Sequence, residues 1–311
     1  MKKNLFWIIL LLPCVVNAQS SGFQLLNIGA TAAELSISEA TVATAFGASS
    51  IYSNPAMLAN EDRTSISLGY TNWIVDSNNL FGGINLVNGK RAAAFAFYTS
   101  GASGFEQRNG PGESNGEFSI QYVSIAGAYA YAFKYFSIGV AGQYLNEDVY
   151  PFRANGFAMN AGIVTSAIDE RIRIGAALTN AGEMEKLDQR ATELPTKFTI
   201  GTSIDVMEFV HWQSPELPIL ATIMADFVMP LHDQQDEFDE INPDDNYLNL
   251  GLNLLISEIV EVRAGYKTSN NVRPVSFGLG FIAENVRFNY ALVPFNTGFG
   301  TVHSIGLTYQ L

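Results

Sequence analysis

Histidine and cysteine are the side chains that most often carry metal or nucleophilic chemistry, and this chain of 311 residues has three histidines and one cysteine. His211, His232 and His303 are far apart, without a carboxylate at the spacing of a metal ligand set or a catalytic triad. Cys14 lies in an apolar leader. The sequence therefore predicts a protein that is not an enzyme and that has no metal ion and no cofactor.

The most acidic stretch of the chain is 233–245, and it follows an apolar segment. A solvated loop is the default interpretation of such a run of charges. The carboxylates could also bind calcium, although the spacing of an EF-hand is absent. A third possibility is a loop that docks a basic protein partner, because long loops often carry recognition. The residues of this possible partner-binding loop are Asp236, Phe238, Asp239 and Ile241.

Six charged residues in the second half of the chain occupy strand positions whose parity turns them inward. Charges in a wall of low dielectric constant must be paired or hydrated. One interpretation is an ion-paired network that fills a lumen and braces a plug, and the other is a polar path for a solute. The six residues of this lumen charge network are Arg173, Asp205, Asp226, Glu261, Arg263 and Arg287.

The strands that would position these charges are about fourteen short segments of alternating hydrophobicity within 64–311. In the last segment, for example, Ile305, Leu307 and Tyr309 alternate with small or polar residues. An even number of such segments, each roughly ten residues long, is typical of an antiparallel transmembrane β-barrel. The predicted strands are 64–74, 78–87, 90–99, 117–131, 134–146, 155–166, 171–180, 196–207, 218–229, 246–256, 259–268, 274–283, 285–294 and 301–311.

The connectors between these segments alternate in length. Five of them are tight, including Asn88-Gly89, a strong signal for a two-residue hairpin. Longer connectors follow the third, fifth, seventh, ninth and thirteenth segments. Bacterial barrels have short periplasmic turns and longer outside loops, so the pattern also predicts the orientation. The connector 208–217, which contains Pro215 and is followed by Pro218, is expected to be a long exception on the short side.

The beginning of the chain has the three parts of a secretory signal peptide. Lys2 and Lys3 form a positive region, 5–16 is apolar but too short to span a bilayer, and Ala18 offers a small residue for cleavage. Residues 1–18 are therefore predicted to be removed during export. The expected location is the bacterial outer membrane, as an integral protein.

The composition agrees with a wall that contacts lipid. Hydrophobic residues make up 48% of the chain and charged residues 15%, whereas about 25% charged is typical of soluble domains. Tyr70, Trp73 and Tyr98 lie near predicted strand ends and are interpreted as an aromatic girdle. The net charge of −13 argues against a nucleic-acid partner, since phosphate binding needs clustered Lys and Arg. Outer-membrane lipid is the partner that this composition predicts.

Residues 19–62 differ from the rest, because small residues and a weak helical pattern replace the alternation. About forty residues are too few for a separate stable domain. We expect this segment to be a plug, or hatch, that enters the lumen of a barrel formed by 63–311. The alternative is a loose periplasmic extension.

Both ends of the chain resemble the PorV/PorQ family of outer-membrane proteins. The N-terminal match comprises 25–30, which reads LLNIGA, and 52–58, which reads YSNPAML and contains the plug motif Asn54, Pro55 and Ala56. The C-terminal match is 289–295, followed by a glycine, a threonine, a histidine and a serine. The family departs from this chain at several positions, where it has Trp for Ser53 and Gly for Met57.

The resemblance implies a FadL-like barrel with an N-terminal hatch and a role in type IX protein secretion. A PorV-like protein would act as a non-enzymatic scaffold or shuttle subunit, with a larger outer-membrane barrel and cell-surface proteins of the secretion complex as partners. One alternative is a FadL-like transporter of small hydrophobic solutes. Another is an accessory subunit of a different outer-membrane complex, for barrel assembly or nutrient uptake.

Overall fold

The computed structural model describes residues 23–106, 116–187, 190–211, 214–231 and 246–311. The predicted leader and the whole of the acidic loop 233–245 therefore lie outside the described residues. Within the described ranges the chain is almost entirely β-strand. The strands are β1 Ser65–Asn72, β2 Asn78–Asn88, β3 Arg91–Glu106, β4 Glu117–Ala132, β5 Phe136–Val149, β6 Phe152–Ala167, β7 Ile172–Met184, β8 Lys186–Leu187, β9 Arg190–Ala191, β10 Lys197–His211, β11 Ser214–Pro230, β12 Tyr247–Ile256, β13 Val260–Lys267, β14 Val275–Ala283, β15 Val286–Pro294 and β16 Thr301–Gln310.

Fourteen of these strands close into one antiparallel barrel, and β8 and β9 form a small hairpin of their own. The ring closes where β1 pairs with β16, from Ser65 opposite Gln310 to Asn72 opposite His303. Elsewhere each barrel strand pairs with its sequence neighbours, and β7 pairs with β10 across the β8–β9 hairpin. The predicted 14-stranded antiparallel barrel is confirmed.

The sequence alternation gives the wall two chemically different faces. In β1, Leu68 and Tyr70 are exposed on the outside, while Ser67, Gly69 and Thr71 are buried on the inside. Successive side chains of a strand point to opposite faces, so the apolar set of every such strand faces outward. This arrangement places hydrophobic side chains against lipid and leaves the lumen to small and polar residues, as in a transmembrane barrel.

The two ends of the barrel differ in the length of their connectors. At one end, here called the turn end, short connectors join β2 to β3, β4 to β5, β6 to β7, β12 to β13 and β14 to β15. Gly89 in the first of them has a φ of 59°, as a primed hairpin turn requires. The opposite end, here called the loop end, carries the longer connectors, including 185–196, 268–274 and 295–300.

The prediction of a long irregular connector at 208–217 is wrong. Strand β10 continues to His211 and β11 begins at Ser214, and these two residues pair with each other. This hairpin extends beyond its neighbours at the turn end, because β7 pairs with β10 only as far as Ile204. A strand edge that pairs with no neighbour tolerates prolines, which explains why Pro215 and Pro218 are compatible with β11.

Residues 23–62 lie inside the barrel as a plug built from single turns of helix. The plug is almost entirely buried, although it contains no long element. Among the described residues, no helix is long and apolar enough to cross a bilayer. The turns are α1 Ala32–Leu35, α2 Ser50–Ser53 and the 3-10 segments Gln24–Asn27, Gly47–Ser49 and Pro55–Asn60.

The plug runs through the lumen from the loop end to the turn end. Phe23 packs on Tyr122, near the loop end of β4. The last plug turn lies at the opposite end, where Ser137 at the start of β5 donates a hydrogen bond to Asn60. The chain then enters β1 directly. The plug therefore contacts the wall along most of the height of the barrel.

Candidate functional site

Glycines on the inner face of the wall form the seat of the plug. Gly139, Gly162 and Gly175, on the consecutive strands β5, β6 and β7, face residues 54–55 of the plug and Val42. A Cβ atom at any of these glycines would overlap plug atoms. The plug backbone can approach the wall this closely only because these residues have no side chain.

The motif Asn54, Pro55 and Ala56 lies in this seat and is fully buried. The Asn54 side chain caps the last plug turn, since its Oδ1 accepts from the Ala56 amide at 3.1 Å. Its Nδ2 donates to Val42 O at 2.6 Å and to Ile163 O of the wall at 3.2 Å. One side chain thus connects two parts of the plug and strand β6.

Three of the six inward charges form a cluster in the turn-end half of the lumen. Glu261 accepts from Arg263 and lies 3.8 Å from Arg287 Nε, and Arg263 also donates to Asn289 Oδ1 at 2.8 Å. The Arg287 guanidinium is 4.8 Å from the centre of the Phe46 ring of the plug, a cation–π contact. This cluster joins β13 and β15 to the plug.

The other three inward charges make no bond to that cluster, although Arg173 lines the same cavity as its three members. Asp226 accepts from the Val42 amide of the plug at 2.8 Å, and Asp205 accepts from Thr222 at 2.7 Å. Arg173 has a buried Nε atom without a hydrogen-bond partner and makes no ion pair with a described residue. The six residues therefore do not form a single network.

A second ionic cluster, at the loop end, has its centre on the plug residue Glu39. Lys267 donates to its carboxylate at 2.5 Å and Arg273 at 2.7 Å. Burial by itself would raise the pKa of Glu39, but the two cations outweigh it and lower the pKa to about 2. Arg273 also stacks on Trp73, 5.5 Å from its ring centre. Sequence reasoning missed this cluster, because Glu39 and its partners are more than 220 residues apart.

Two further plug carboxyl groups have hydrogen-bond donors but no close cation. Glu34 accepts from the Ala30 and Thr31 amides at 2.8 and 3.3 Å, within a capping box. Glu61 accepts from the Gly47 amide at 2.7 Å and from Ser65 at 3.0 Å. Burial raises the pKa of both groups to about 7, although the hydrogen bonds oppose that rise.

The lumen holds an apolar cluster with an aromatic centre, which extends from the loop end toward the turn end. Tyr52 of the plug lies 5.8 Å from Tyr98 and 6.3 Å from Phe81, ring centre to ring centre. Phe23 and Tyr122 add an edge-to-face pair at 5.1 Å. Such arrangements are preferred by aromatic side chains. Aliphatic side chains of plug, wall and connector complete the cluster: Leu25, Leu26, Leu58, Leu145 and Leu194.

The prediction of an aromatic girdle is wrong for Tyr98. Its side chain is only 2% exposed and points into the lumen, on the same face of β3 as Ala94 and Ala96. Proximity to a strand end suggested the girdle, but the parity of the strand decides the direction. Tyr70 is exposed on the outside, whereas Trp73 lies in a loop-end connector against Phe295.

The space beside the plug is polar toward the turn end. Two adjoining cavities of about 290 and 400 Å³ share Phe46 and Arg173 among their lining residues. The larger one is also lined by Asp62 and Arg63, next to the start of β1. A smaller chamber of about 50 Å³ lies between plug and wall near Lys197.

The wall changes its pairing beside the apolar cluster. Strand β7 pairs with β6 as far as Met184, but with β10 only as far as Thr179. A bulge marks the change, where Asn180 has a φ of 60°. Among the described residues, 180–184 have no partner strand on the β10 side, and the connector 185–196 covers this region with Leu194 buried in the apolar cluster.

Parts of the predicted site cannot be placed. Asp236, Phe238, Asp239 and Ile241 lie outside the described residues, so their possible binding role stays a prediction. In the parts of the chain that the structure describes, no group of three His, Cys, Asp or Glu side chains could hold a metal ion.

Comparisons with known proteins identify the fold. No protein-family model matches the chain, and no curated protein matches it in sequence. The solved structure of the CymD monoaromatic hydrocarbon channel is similar, with 12% identity and a TM-score of 0.58 over 94% of this chain and 99% of that one. The toluene transporter TodX of Pseudomonas putida is also similar, with 11% identity and a TM-score of 0.55 over 91% and 98%. The chain therefore has the barrel fold of these two structures.

Proposed function

We propose that this protein is an outer-membrane channel for small hydrophobic solutes, with monoaromatic hydrocarbons as the substrate class. The observation that carries the proposal is the enclosed cluster around Tyr52, Phe81 and Tyr98, between plug and wall. Ligand sites are mostly apolar and aromatic, with few polar groups. The fold shared with a toluene transporter and a hydrocarbon channel supports this choice.

Transport through this barrel requires the plug to move. The plug fills the seat formed by Gly139, Gly162 and Gly175. Its bonds to Asp226 of β11 and Lys267 of β13 hold it against one neighbouring part of the wall. A solute from the loop end would first meet the apolar cluster. The unpaired edge of β7 at 180–184 offers an exit toward lipid, which suits a hydrophobic solute better than the polar turn end.

A reversible cross-link tests the proposal. Ser38 of the plug and Ser276 of β14 have Oγ atoms 2.8 Å apart, close enough for a disulfide when both are replaced by Cys. The only native cysteine is Cys14, which can be changed to Ser. Cells that express the Ser38→Cys, Ser276→Cys variant should take up radiolabelled toluene only after reduction. The two single Cys variants are the matched controls and should be insensitive to reductant.

Uptake that is equal in the oxidised and reduced states would contradict a channel whose plug moves. Uptake no faster than in cells without the protein would contradict hydrocarbon transport altogether. The state of the cross-link is read on a non-reducing gel, so a failed disulfide is recognised before uptake is interpreted.

A second candidate is the PorV-like scaffold of a secretion complex. It is favoured by the resemblance of both chain ends to that family and by the hairpin of β10 and β11, which extends beyond the turn end. Purification in mild detergent followed by mass spectrometry should then recover a larger outer-membrane barrel and surface proteins. Recovery of a lone monomer with bound lipid would contradict the scaffold. Oxidation of the Ser38→Cys, Ser276→Cys variant should leave such a complex intact.

A further inference from the structure

The turn-end rim has an uneven distribution of charge. The connectors after β6, β12 and β14 carry acidic residues, the first of them together with Arg171. The neighbouring connectors after β2 and β4 carry Lys90 and Lys134, and Arg91 begins β3. These two basic connectors touch, because the Ala132 amide donates to Lys90 O at 2.8 Å. All three cationic side chains are exposed, and none forms an ion pair with a described residue. In a chain with a net charge of −13, this sector is a local exception.

The sector faces the lipid side of the wall. Arg91 begins β3 on the same face as Phe95 and Phe97, which are 61% and 41% exposed. Its partner in register on β4 is Tyr131. The guanidinium therefore lies at the turn-end edge of the apolar outer surface.

Aromatic side chains surround these cations. Tyr131 contacts Phe133 at 4.7 Å between ring centres, and Phe133 stacks on Phe136 at 4.9 Å. The Lys134 ammonium lies 5.1 Å from the ring centre of Tyr135, whose side chain is 72% exposed. Aromatic rings and long cationic side chains prefer the depth of the headgroups, where the stem is in lipid and the charge is in water.

We propose that this basic aromatic sector, formed by Lys90, Arg91, Lys134 and the aromatic residues beside them, binds the headgroups of anionic phospholipids in the leaflet at the turn end. Its three cations have no carboxylate partner in the described chain, so their charges are free to pair with lipid phosphates. A guanidinium binds two phosphate oxygens at once, and an ammonium adds a point charge. The acidic connectors repel the same headgroups, which confines the bound lipid to one side of the barrel. The inference is independent of the proposed function, because it concerns the outer surface.

Native mass spectrometry of the protein from nanodiscs that contain equal amounts of phosphatidylglycerol and phosphatidylcholine tests this proposal. The wild type should retain phosphatidylglycerol preferentially. The Lys90→Gln, Arg91→Gln, Lys134→Gln variant should lose that preference by roughly fivefold for each cation removed. The control is Arg153→Gln, Lys186→Gln, which removes two cations at exposed positions of the loop end and should keep the preference.

Equal enrichment in the sector variant and the wild type would overturn the proposal. An equal loss in the control variant would overturn it too, since the effect would then be one of net charge. Heat-modified gel mobility identifies folded barrel in each preparation, and only folded protein is compared.

Discussion

At the scale of single residues, the seat of the plug depends on the absence of a side chain at Gly139. A methyl group at this position would overlap the Pro55 carbonyl. Overpacking of this kind costs about 1–3 kcal/mol. We therefore expect Gly139→Ala to loosen the plug while the barrel still forms. Faster hydrogen exchange of the peptide that contains Ala56, measured by mass spectrometry, would report the loosening.

The same strand supplies the control for this prediction. Gly142 is also in β5, but it faces outward, and a Cβ atom there would meet nothing within 4 Å. Gly142→Ala should leave the exchange of the plug unchanged. If both variants behaved alike, the effect would belong to the strand and not to the seat.

The plug carboxyl groups predict a dependence of stability on pH. Burial raises the pKa of Glu61 to about 7 in the folded state, against 4.5 in the unfolded chain, and Glu34 behaves alike. Between these pH values the folded state binds more protons, so its stability falls as pH rises through the window. We expect a lower melting temperature at pH 8 than at pH 5. Glu39, with its lowered pKa, has the opposite effect, but only below about pH 4.5.

Glu61→Gln imitates the protonated acid and isolates this contribution. The amide keeps an oxygen for the Gly47 amide hydrogen, and Ser65 can accept from its nitrogen. The variant should therefore melt with a smaller difference between pH 5 and pH 8 than the wild type. An unchanged difference would contradict the raised pKa of Glu61.

Sequence reasoning identified only some of the residues at this scale. The parity of the strands is enough to turn Glu261, Arg263 and Arg287 inward, because period two follows from backbone geometry. The plug residues that contact the wall cations could not be found this way. Phe46, which contacts Arg287, and Glu39, which pairs with Lys267 and Arg273, belong to a segment without a periodic pattern. Such contacts depend on how an irregular segment folds back into the lumen, which no local pattern encodes.

At the scale of elements, the bulge between β6 and β7 is held by one side chain. Asn160 donates to Ile51 O of the plug and accepts from the Asn180 amide, both at 2.7 Å. It thereby replaces a ladder bond that the bulge removes. Asn160→Ala would leave two buried polar groups unpaired, at about 1–3 kcal/mol each.

The expected result is a lower melting temperature and a faster exchange of the Asn180 amide. Asn155 is the matched control, because this residue of the same strand makes its side-chain bonds at exposed positions. Asn155→Ala should have little effect. A stable Asn160→Ala protein with slow exchange at Asn180 would contradict the proposed role.

The elements themselves were largely predictable, since strand count and connector lengths follow from alternation and turn chemistry. The exception, 208–217, is informative. Its prolines indicated a loop, but a proline is tolerated on a strand edge that needs no donor. The extent of β3 to Glu106 was also missed, because 100–106 is rich in small residues and lacks a strong alternation.

At the scale of the whole molecule, the plug determines whether the barrel conducts. Deletion of 23–60 would leave a wall whose inner face carries Asp226, Lys267 and other polar groups. Such a lumen would fill with water. We expect the truncated barrel to show a large ion conductance in planar bilayers, and the intact protein a small one. Equal conductances would mean that the plug does not seal the lumen.

The fold was predictable at this scale, but the function less so. The alternation of apolar and polar residues predicts a barrel. A barrel assigns nearly every residue to the wall, to a turn or to the packed lumen. The choice between a solute channel and a secretion scaffold depends on plug motion and on outside partners. Neither is written in local patterns, which is why the reversible cross-link and the purification of complexes are needed.

The joint between β1 and β16 sets an order of assembly. The plug and β1 are made first, whereas β16, the strand that completes the ring around them, is made last. If the barrel closed first, residues 23–62 would have to pass through the finished barrel to reach their place in the lumen. A sheet that curls around a plug already in place avoids this passage. The plug, which is made first, would then template the closure of the barrel by β16, which is made last.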